Sequence, residues 1–557
     1  MSRTLFRRTL FHSGTVWTGT GTTTDALSVR DGRIEALGAA ALAGNHDDRV
    51  DLRVDLRGGM LLPAFGDGHC HPDHAGFEAM GPRVGGLGTV EEIVEAVRRH
   101  ADAHPATHAG AEWIIGGGYD TTIVADGLFD ARWLDEAVPD RPVALRAWDY
   151  HTLWCNSEAM RRAGLDASTP DTPRGRFARR PDGELLGTMI EWDAVDAVLA
   201  AAPARTTEDL VTALAAATEA YAAAGVTWIQ DAWVEHDTVE AYLEAARRGL
   251  LATRVNLAFR ADPVRWREQL AEFAADRERV RSLGDDRLTA AVTADTVKFF
   301  IDGILENRTA SLLAPYSDDP CTRGMPVWPY GELLEAMTAV DAMGLQAHLH
   351  AIGDAGIRTA LDAIEHVTRV NGPRDRRPVI AHVQVLAEED LPRFARLGVI
   401  ANLQPLWART DPPMTKLTFP RIGPDRARRQ YLIGSLLRAG VHVSFGSDWP
   451  VSDHRPLAGL PVAVTRENDE REPSGGWLPE ERIGIEEALS AYTAGVAHQA
   501  FAEDERGTLA PGKVADLVWL DGDVRRADPH DIAETTTVLG TWAAGVRTFL
   551  PANRSGV

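Results

Sequence analysis

In the stretch Leu61-Leu62-Pro63-Ala64-Phe65-Gly66-Asp67-Gly68-His69-Cys70-His71, an apolar run ends in two histidines one residue apart. Side chains alternate sides along a strand. His69 and His71 therefore share one side, and Cys70 faces the other. Two imidazoles presented together make half of a metal site. Alone the pair is a weak signal, because His-x-His is also common in surface loops. Other apolar runs carry matching groups: Lys298 within Thr296 to Ile301, His350 ending Leu345 to His350, His382 ending Pro378 to His382, and Ser447-Asp448 after Val441 to Gly446. Burying such groups costs desolvation energy unless they converge on something. Four histidines and one carboxylate are the ligand set expected for a borderline divalent metal such as zinc.

The elements that would position these groups follow from hydrophobic patterning. Besides the first run and the four just named, β-type runs occur at Val226 to Gln230, Arg254 to Phe259 and Val399 to Leu403. Helical segments such as Leu210 to Ala224, Tyr330 to Met343, Gly356 to Val370 and Glu388 to Leu397 lie between most of them. Eight strands alternating with helices predict an α/β chain folded as a (β/α)8 TIM-like barrel, with its active site at the strand C-terminal ends. Residues 1–60 read as short strands and turns, with Asp31-Gly32 as a hairpin signal. Residues 501–557 have the same character. Neither end can bury a core alone, so they are expected to pair into one small β-sandwich around a barrel domain of residues 61–500. The interval of about 77–225 is too long for one crossover helix and predicts an inserted subdomain over the barrel mouth. Asp411 to Arg429 is a second excursion and a candidate lid.

Bulk properties narrow the function classes. A formal charge of −23 on 557 residues argues against nucleic-acid or anionic-membrane partners, which need basic patches. Three cysteines, Cys70, Cys155 and Cys321, make no disulfide framework and fit a reducing, cytoplasmic compartment. Met1 to Thr20 has no apolar core of a signal peptide. No run approaches the ~18 apolar residues that span a bilayer. Gly353-Asp354-Ala355-Gly356 has neither dinucleotide-binding nor P-loop spacing.

The motifs, taken in order, resemble the metal-dependent amidohydrolase superfamily, and within it amidohydrolase family 3, the N-substituted formamide deformylase-like group. The resemblance rests on Leu62 to His71, Val297 to Gly303, His350-Ala351-Ile352-Gly353-Asp354, Ala381-His382-Val383-Gln384, Gly446-Ser447-Asp448-Trp449-Pro450 and the tail Gly507 to Asp516. It implies one metal on His69, His71 and Asp448, and a second on His350 and His382. Lys298 matches a position that is carboxylated in many relatives and bridges two metals. A free ammonium cannot ligate a cation, so that role would require the modification. One or two divalent ions per chain are implied, with zinc foremost. Asp448 would orient water, accept its proton and pass it to the leaving nitrogen. A metal or a histidine would stabilise the oxyanion.

The segment Asp149 to Ser157 resembles the family segment that places a histidine over the metals, which makes His151 the oxyanion or substrate contact. Trp113, Tyr119 and Trp192 are candidates for an apolar pocket wall. Glu306 and Arg308, following the fourth strand, are candidate pocket residues. His348 shares strand parity with His350, which predicts a packed or supporting role. His74 lies in a loop. The expected activity is hydrolysis of a non-peptide amide, N-acyl or N-formyl bond in a small-molecule substrate. Cyclic amide hydrolysis or heterocycle deamination would use the same centre, and a non-catalytic, metal-binding regulatory protein is the reading from another class. Relatives suggest a homo-oligomer such as a dimer.

Overall fold

The computed structural model describes residues 8–43, 50–106, 112–283 and 291–551. Residues 1–7 of the segment read as lacking a signal peptide lie outside this set. Eight parallel strands form the central sheet in chain order: β1 (Phe65–Cys70), β2 (Val226–Val234), β3 (Arg254–Arg260), β4 (Val292–Phe300), β5 (Gln346–Ala351), β6 (Val379–His382), β7 (Ile400–Leu403) and β8 (Val443–Phe445). Helices such as Thr207–Ala223, Tyr330–Ala342, Asp354–Asn371 and Leu391–Leu397 intervene. The strands are buried on both faces and rich in Val, Ile, Leu and Phe, as parallel strands covered by helices must be.

The barrel is nearly closed. The ladder runs without a break from β1 to β8, and the seam between these two is bridged just beyond the strands. The Asp448 N–H donates to the His69 carbonyl at 2.7 Å, and the His71 N–H to the Trp449 carbonyl at 2.8 Å. The buried Asp67 carboxylate accepts the Ser447 N–H at 3.0 Å and the Ser447 hydroxyl. This approach depends on Gly446, where a Cβ would lie 2.7 Å from the His69 nitrogen.

The apolar run at residues 61–71 is two strands rather than one. Met60–Pro63 pairs with Thr15–Trp17 and Leu517–Leu520 in a six-stranded sheet, and only Phe65–Cys70 joins the barrel. The hand-over is at Ala64 and Phe65, whose N–H groups bond to Asp516 and Gly225 respectively. A four-stranded sheet contains Arg8–His12, Leu27–Arg30, Arg33–Leu37 and Leu52–Asp55. The two sheets share a buried cluster that includes Phe11, Leu27, Leu61, Leu517, Trp519 and Trp542. Thr535 to Leu539 reads as a strand in sequence, but Ile532–Thr535 is a helical turn and the strand is Val538–Ala543.

Between β1 and β2 a separate five-stranded sheet forms from Ile114–Tyr119, Val143–Ala147, Thr152–Cys155, Arg176–Arg179 and Leu185–Ile190. It has apolar clusters of its own, one around Tyr119, Phe129 and Trp154, the other around Trp113, Leu153 and Phe177. Among the described residues no helix is long and apolar enough to cross a membrane.

Candidate metal centre

The polar strand-end groups converge. His69 lies one residue before the end of β1 and His71 follows the strand, Lys298 lies on β4, His350 on β5 and His382 ends β6, while Asp448 follows β8. Ladder register sets Lys298 beside His348, Phe300 beside His350, and Ala351 beside His382. The His69 and His382 ring centroids are 4.7 Å apart, as are those of His350 and His382. Lys298 Nζ lies 3.3 Å from His69 Nε2. Asp448 and His382 adopt left-handed φ of 56° and 75°. Such conformations cost about 1–3 kcal/mol each and persist where the surroundings enforce them, often at functional sites.

Three of the rings, those of His69, His382 and His350, are oriented by a bond from the far side, whereas His71 Nδ1 has no hydrogen-bond partner among the described residues. His69 Nδ1 meets His348 Nε2 at 2.8 Å. His382 Nδ1 donates to Gln404 Oε1 at 2.9 Å, and Gln404 is itself held by Asn402 at 3.1 Å. His350 Nε2 donates to the Gly303 carbonyl at 3.2 Å. Partners of this kind fix the tautomer of a metal-ligating histidine and leave its other nitrogen to the ion. His348 therefore has the supporting place that its strand parity predicts.

Electrostatics suits metal binding. Burial pushes His69, His348, His350 and His382 well below the ordinary imidazole pKa, so all are neutral near pH 7. Neutral imidazole is the ligating form. Burial lowers the Lys298 ammonium to about 7, which leaves a large fraction as free amine. Burial alone would raise the Asp448 carboxyl, but His71 beside it outweighs this, and the group lies below the ordinary carboxylate value.

The fit to a divalent ion rests on donors and orphans. One ligand atom each from His69, His71 and Asp448 lies within 4.8 Å of the others. Asp448 Oδ1 is buried 3.0 Å from His71 Nε2 and 3.4 Å from His69 Nε2, yet among the described residues it forms no aligned hydrogen bond. A buried, unsatisfied carboxylate oxygen is costly. An ion held by these three groups would remove that cost.

Around the centre the inner cavity is walled by Trp192, Trp233 and Phe300, whose rings pack edge-on or tilted against one another. It continues outward past Trp148, Asp149, Glu306, Trp407 and Tyr431. Trp407 stacks on the His382 ring at 5.4 Å. His151 lines both parts of the cavity; its Nδ1 bonds Glu191 Oε2 at 2.7 Å. Burial pulls the His151 pKa down, but the Glu191 carboxylate more than offsets this, and the group lies above its ordinary value. Burial lifts Asp149 to about 7.

Of the pocket residues read from sequence, Glu306 and Trp192 line the cavity, and Glu306 accepts the Thr418 hydroxyl. Trp113 and Tyr119 do not, because each is consumed by a core of the inserted sheet. Arg308 also turns away: it sits at a left-handed φ of 58° and pairs with Asp318 at 2.7 Å. His74 borders the inner cavity and stacks on Tyr150 at 5.4 Å. Residues that escaped the sequence reading are Glu191, Trp148, Trp233, Phe300 and Gln404. Phe300 was within reach, being two residues beyond Lys298 on the same strand face. Glu191 had no periodicity to mark it.

A model of the amidohydrolase family matches residues 53–549. The chain is 30% identical to the Arabidopsis thaliana protein LONG AFTER FAR-RED 3 over 97% of this chain and 91% of that protein. It is 26% identical to an N-substituted formamide deformylase of Arthrobacter pascens, covering 94% of each chain. Among solved structures, an uncharacterised metal-dependent hydrolase of Pyrococcus furiosus superposes with a TM-score of 0.71 at 25% identity, over 93% of this chain and all of that one. With the family match covering most of its length, this chain belongs to the amidohydrolase family.

Proposed function

We propose that the protein is a metal-dependent hydrolase that cleaves the carbon–nitrogen bond of a small amide, N-acyl or N-formyl compound. His69, His71 and Asp448 would hold one divalent ion, and His350 and His382 a second, with Lys298 as a further ligand once its amine has added carbon dioxide and lost a proton to give a carbamate. The nitrogen-rich donor set favours zinc. When bound, the metal supplies Lewis acidity that activates water and polarises the carbonyl. The chain's own groups do the rest. Asp448, ionised and facing the cavity, takes the proton of the attacking water and delivers it to the leaving nitrogen. His151 contacts the carbonyl oxygen from the opposite, insert side. Trp192, Trp233 and Phe300 exclude bulk water and strengthen these interactions.

The observation that carries this reading is Asp448 Oδ1, buried beside two imidazole nitrogens and, among the described residues, unsatisfied by any aligned hydrogen bond. The test is a panel of N-formyl and N-acyl amines offered to zinc-loaded protein and to its Asp448→Asn variant. Hydrolysis by the first and a loss of roughly 10³-fold in kcat in the second, with an unchanged melting temperature, is expected. Turnover retained by Asp448→Asn would remove Asp448 from the proton-transfer role.

A further inference from the structure

Glu191 is a buried carboxylate with an unusual set of partners. It is 1% exposed, and among the described residues its one ion-pair partner is His151, with no lysine or arginine. Both of its oxygens are committed: Oε2 to His151 Nδ1 at 2.7 Å, and Oε1 to the hydroxyl of Thr309. Thr309 belongs to the barrel loop after β4; its hydroxyl accepts the Ile304 N–H at 3.0 Å and has two acceptors for its proton, Glu191 Oε1 and the Ile304 carbonyl at 3.1 Å. Glu191 thus ties the inserted sheet to the barrel directly at the cavity. A buried carboxylate without a strong cationic partner is expensive. Its retention needs a reason beyond packing.

The backbone is shaped around the same pair. Glu191 follows the strand Leu185–Ile190 and His151 precedes the strand Thr152–Cys155, and these strands pair with Thr152 opposite Ile190. The Glu191 N–H donates to the His151 carbonyl at 2.8 Å, which extends that ladder by one bond. Glu191 pays for its placement with φ 64° and ψ 174°, a region that residues other than glycine rarely enter. The Asp149 carboxylate accepts the His151 N–H at 2.8 Å and fixes the turn from the other side. Gly303 makes room: a Cβ there would stand 2.3 Å from Thr309 Oγ1 and 2.6 Å from Glu191 Oε1. The His151 ring is packed between Trp192, at 4.8 Å, and His350, at 5.4 Å. Its Nε2 has no protein hydrogen bond among the described residues, and the ring borders the cavity.

We propose that Glu191 is a positioning residue for His151: its carboxylate accepts the Nδ1 proton and so fixes the ring with Nε2 as the atom presented to the substrate. A ring without that bond would present the substrate with Nε2 for only part of the time, as happens when the orienting carboxylate of a catalytic triad is lost. Which carbonyl His151 meets rests on the function proposed above; the pairing of Glu191 with His151 does not.

The test uses zinc-loaded, full-length protein with the best amide from the panel, and compares His151→Asn, Glu191→Ala, Glu191→Gln and the double variant His151→Asn/Glu191→Ala. Glu191→Ala is expected to lower kcat about 100-fold with little change in KM or metal content. Glu191→Gln keeps an acceptor oxygen and should lose only about tenfold. The double variant should be no slower than His151→Asn alone, because both substitutions remove one function. Protein labelled with ¹⁵N-histidine gives a readout without turnover. His151, assigned by its loss in His151→Asn, should carry a proton on Nδ1 in the wild type, and that nitrogen should be bare for part of the time in Glu191→Ala. Wild-type kcat in a folded, metal-loaded Glu191→Ala would overturn the proposal. So would losses that multiply in the double variant, or a bare Nδ1 in the wild type. Where Glu191→Ala does not fold, the Gln variant and the wild-type spectrum still decide. Failure of every amide as substrate would count against the proposed function, while the tautomer measurement would continue to judge Glu191.

Discussion

The barrel and the inserted sheet contribute to the same cavity by different physical means. The barrel supplies His69, Lys298, His350 and His382 from strands whose ladder fixes each side chain against its neighbour, with His71 and Asp448 held by the seam bonds. The second ring nitrogens of His69, His382 and His350 are anchored within the barrel, by His348, Gln404 and the Gly303 carbonyl. The insert supplies His151, Asp149 and Trp148 from a turn, anchored by the strained Glu191. A metal needs several donors at fixed distances, and strand ends meet that need. A substrate contact has to reach over those donors from outside, and a separate layer meets that one. On the function proposed above, the barrel would hold the metal and share the substrate pocket with the insert, which adds His151, Asp149 and Trp148.

Substitutions on each side should separate along that line. The largest effect is expected from replacing both His69 and His71 by alanine: bound metal falls to background by elemental analysis, and hydrolysis falls with it. Next comes Gln404→Leu, which leaves the His382 Nδ1 proton without its acceptor. It should weaken metal binding or activity by about 10–100-fold in a competition titration. On the insert, Trp148→Ala should raise KM about tenfold while metal stoichiometry stays at the wild-type value. A drop in metal content there would break the division of labour.

Two smaller predictions concern the stability of the insert. Burial alone would raise the Asp130 pKa, but bonds from Arg180, Arg132 and the Arg132 N–H hold it well below the ordinary carboxylate range. A depressed folded-state pKa stabilises the fold at pH values above the unfolded value of about 4, and the benefit fades as the pH falls below it. Asp130→Asn should therefore cost about 2 kcal/mol in denaturant melts at pH 7, with the gap to wild type narrowing in acid. Tyr119→Phe removes a buried hydroxyl that has no hydrogen-bond partner among the described residues. It should change stability by less than about 0.5 kcal/mol and leave KM unchanged, as fits a core residue and not a pocket wall.

The same contrast explains what could be read from sequence. Barrel strands announce themselves as apolar runs, and a polar residue at the end of such a run stands out against them. His69, His71, His350, His382 and Asp448 were legible for that reason. The insert has no comparable background. Its sheet packs an apolar cluster on each of two faces, so aromatic residues such as Trp113 and Tyr119 are expected in its interior as much as on a pocket wall. Glu306 and Arg308 stand two residues apart in one loop, yet the left-handed turn at Arg308 sends one into the cavity and the other to Asp318. Glu191 depends on a backbone conformation and on a contact 118 positions away in the chain, at Thr309. The run from Leu61 to His71 concealed its own break, because Met60–Pro63 and Phe65–Cys70 are equally buried in different sheets.

The most direct test of the metal centre is a diffraction measurement at the zinc absorption edge on zinc-loaded crystals. An anomalous peak at about 2.0–2.2 Å from a ring nitrogen of His69, a ring nitrogen of His71 and an Asp448 oxygen is the predicted result. Fully occupied zinc elsewhere, or no peak among these three residues in crystals grown with excess zinc, would contradict it.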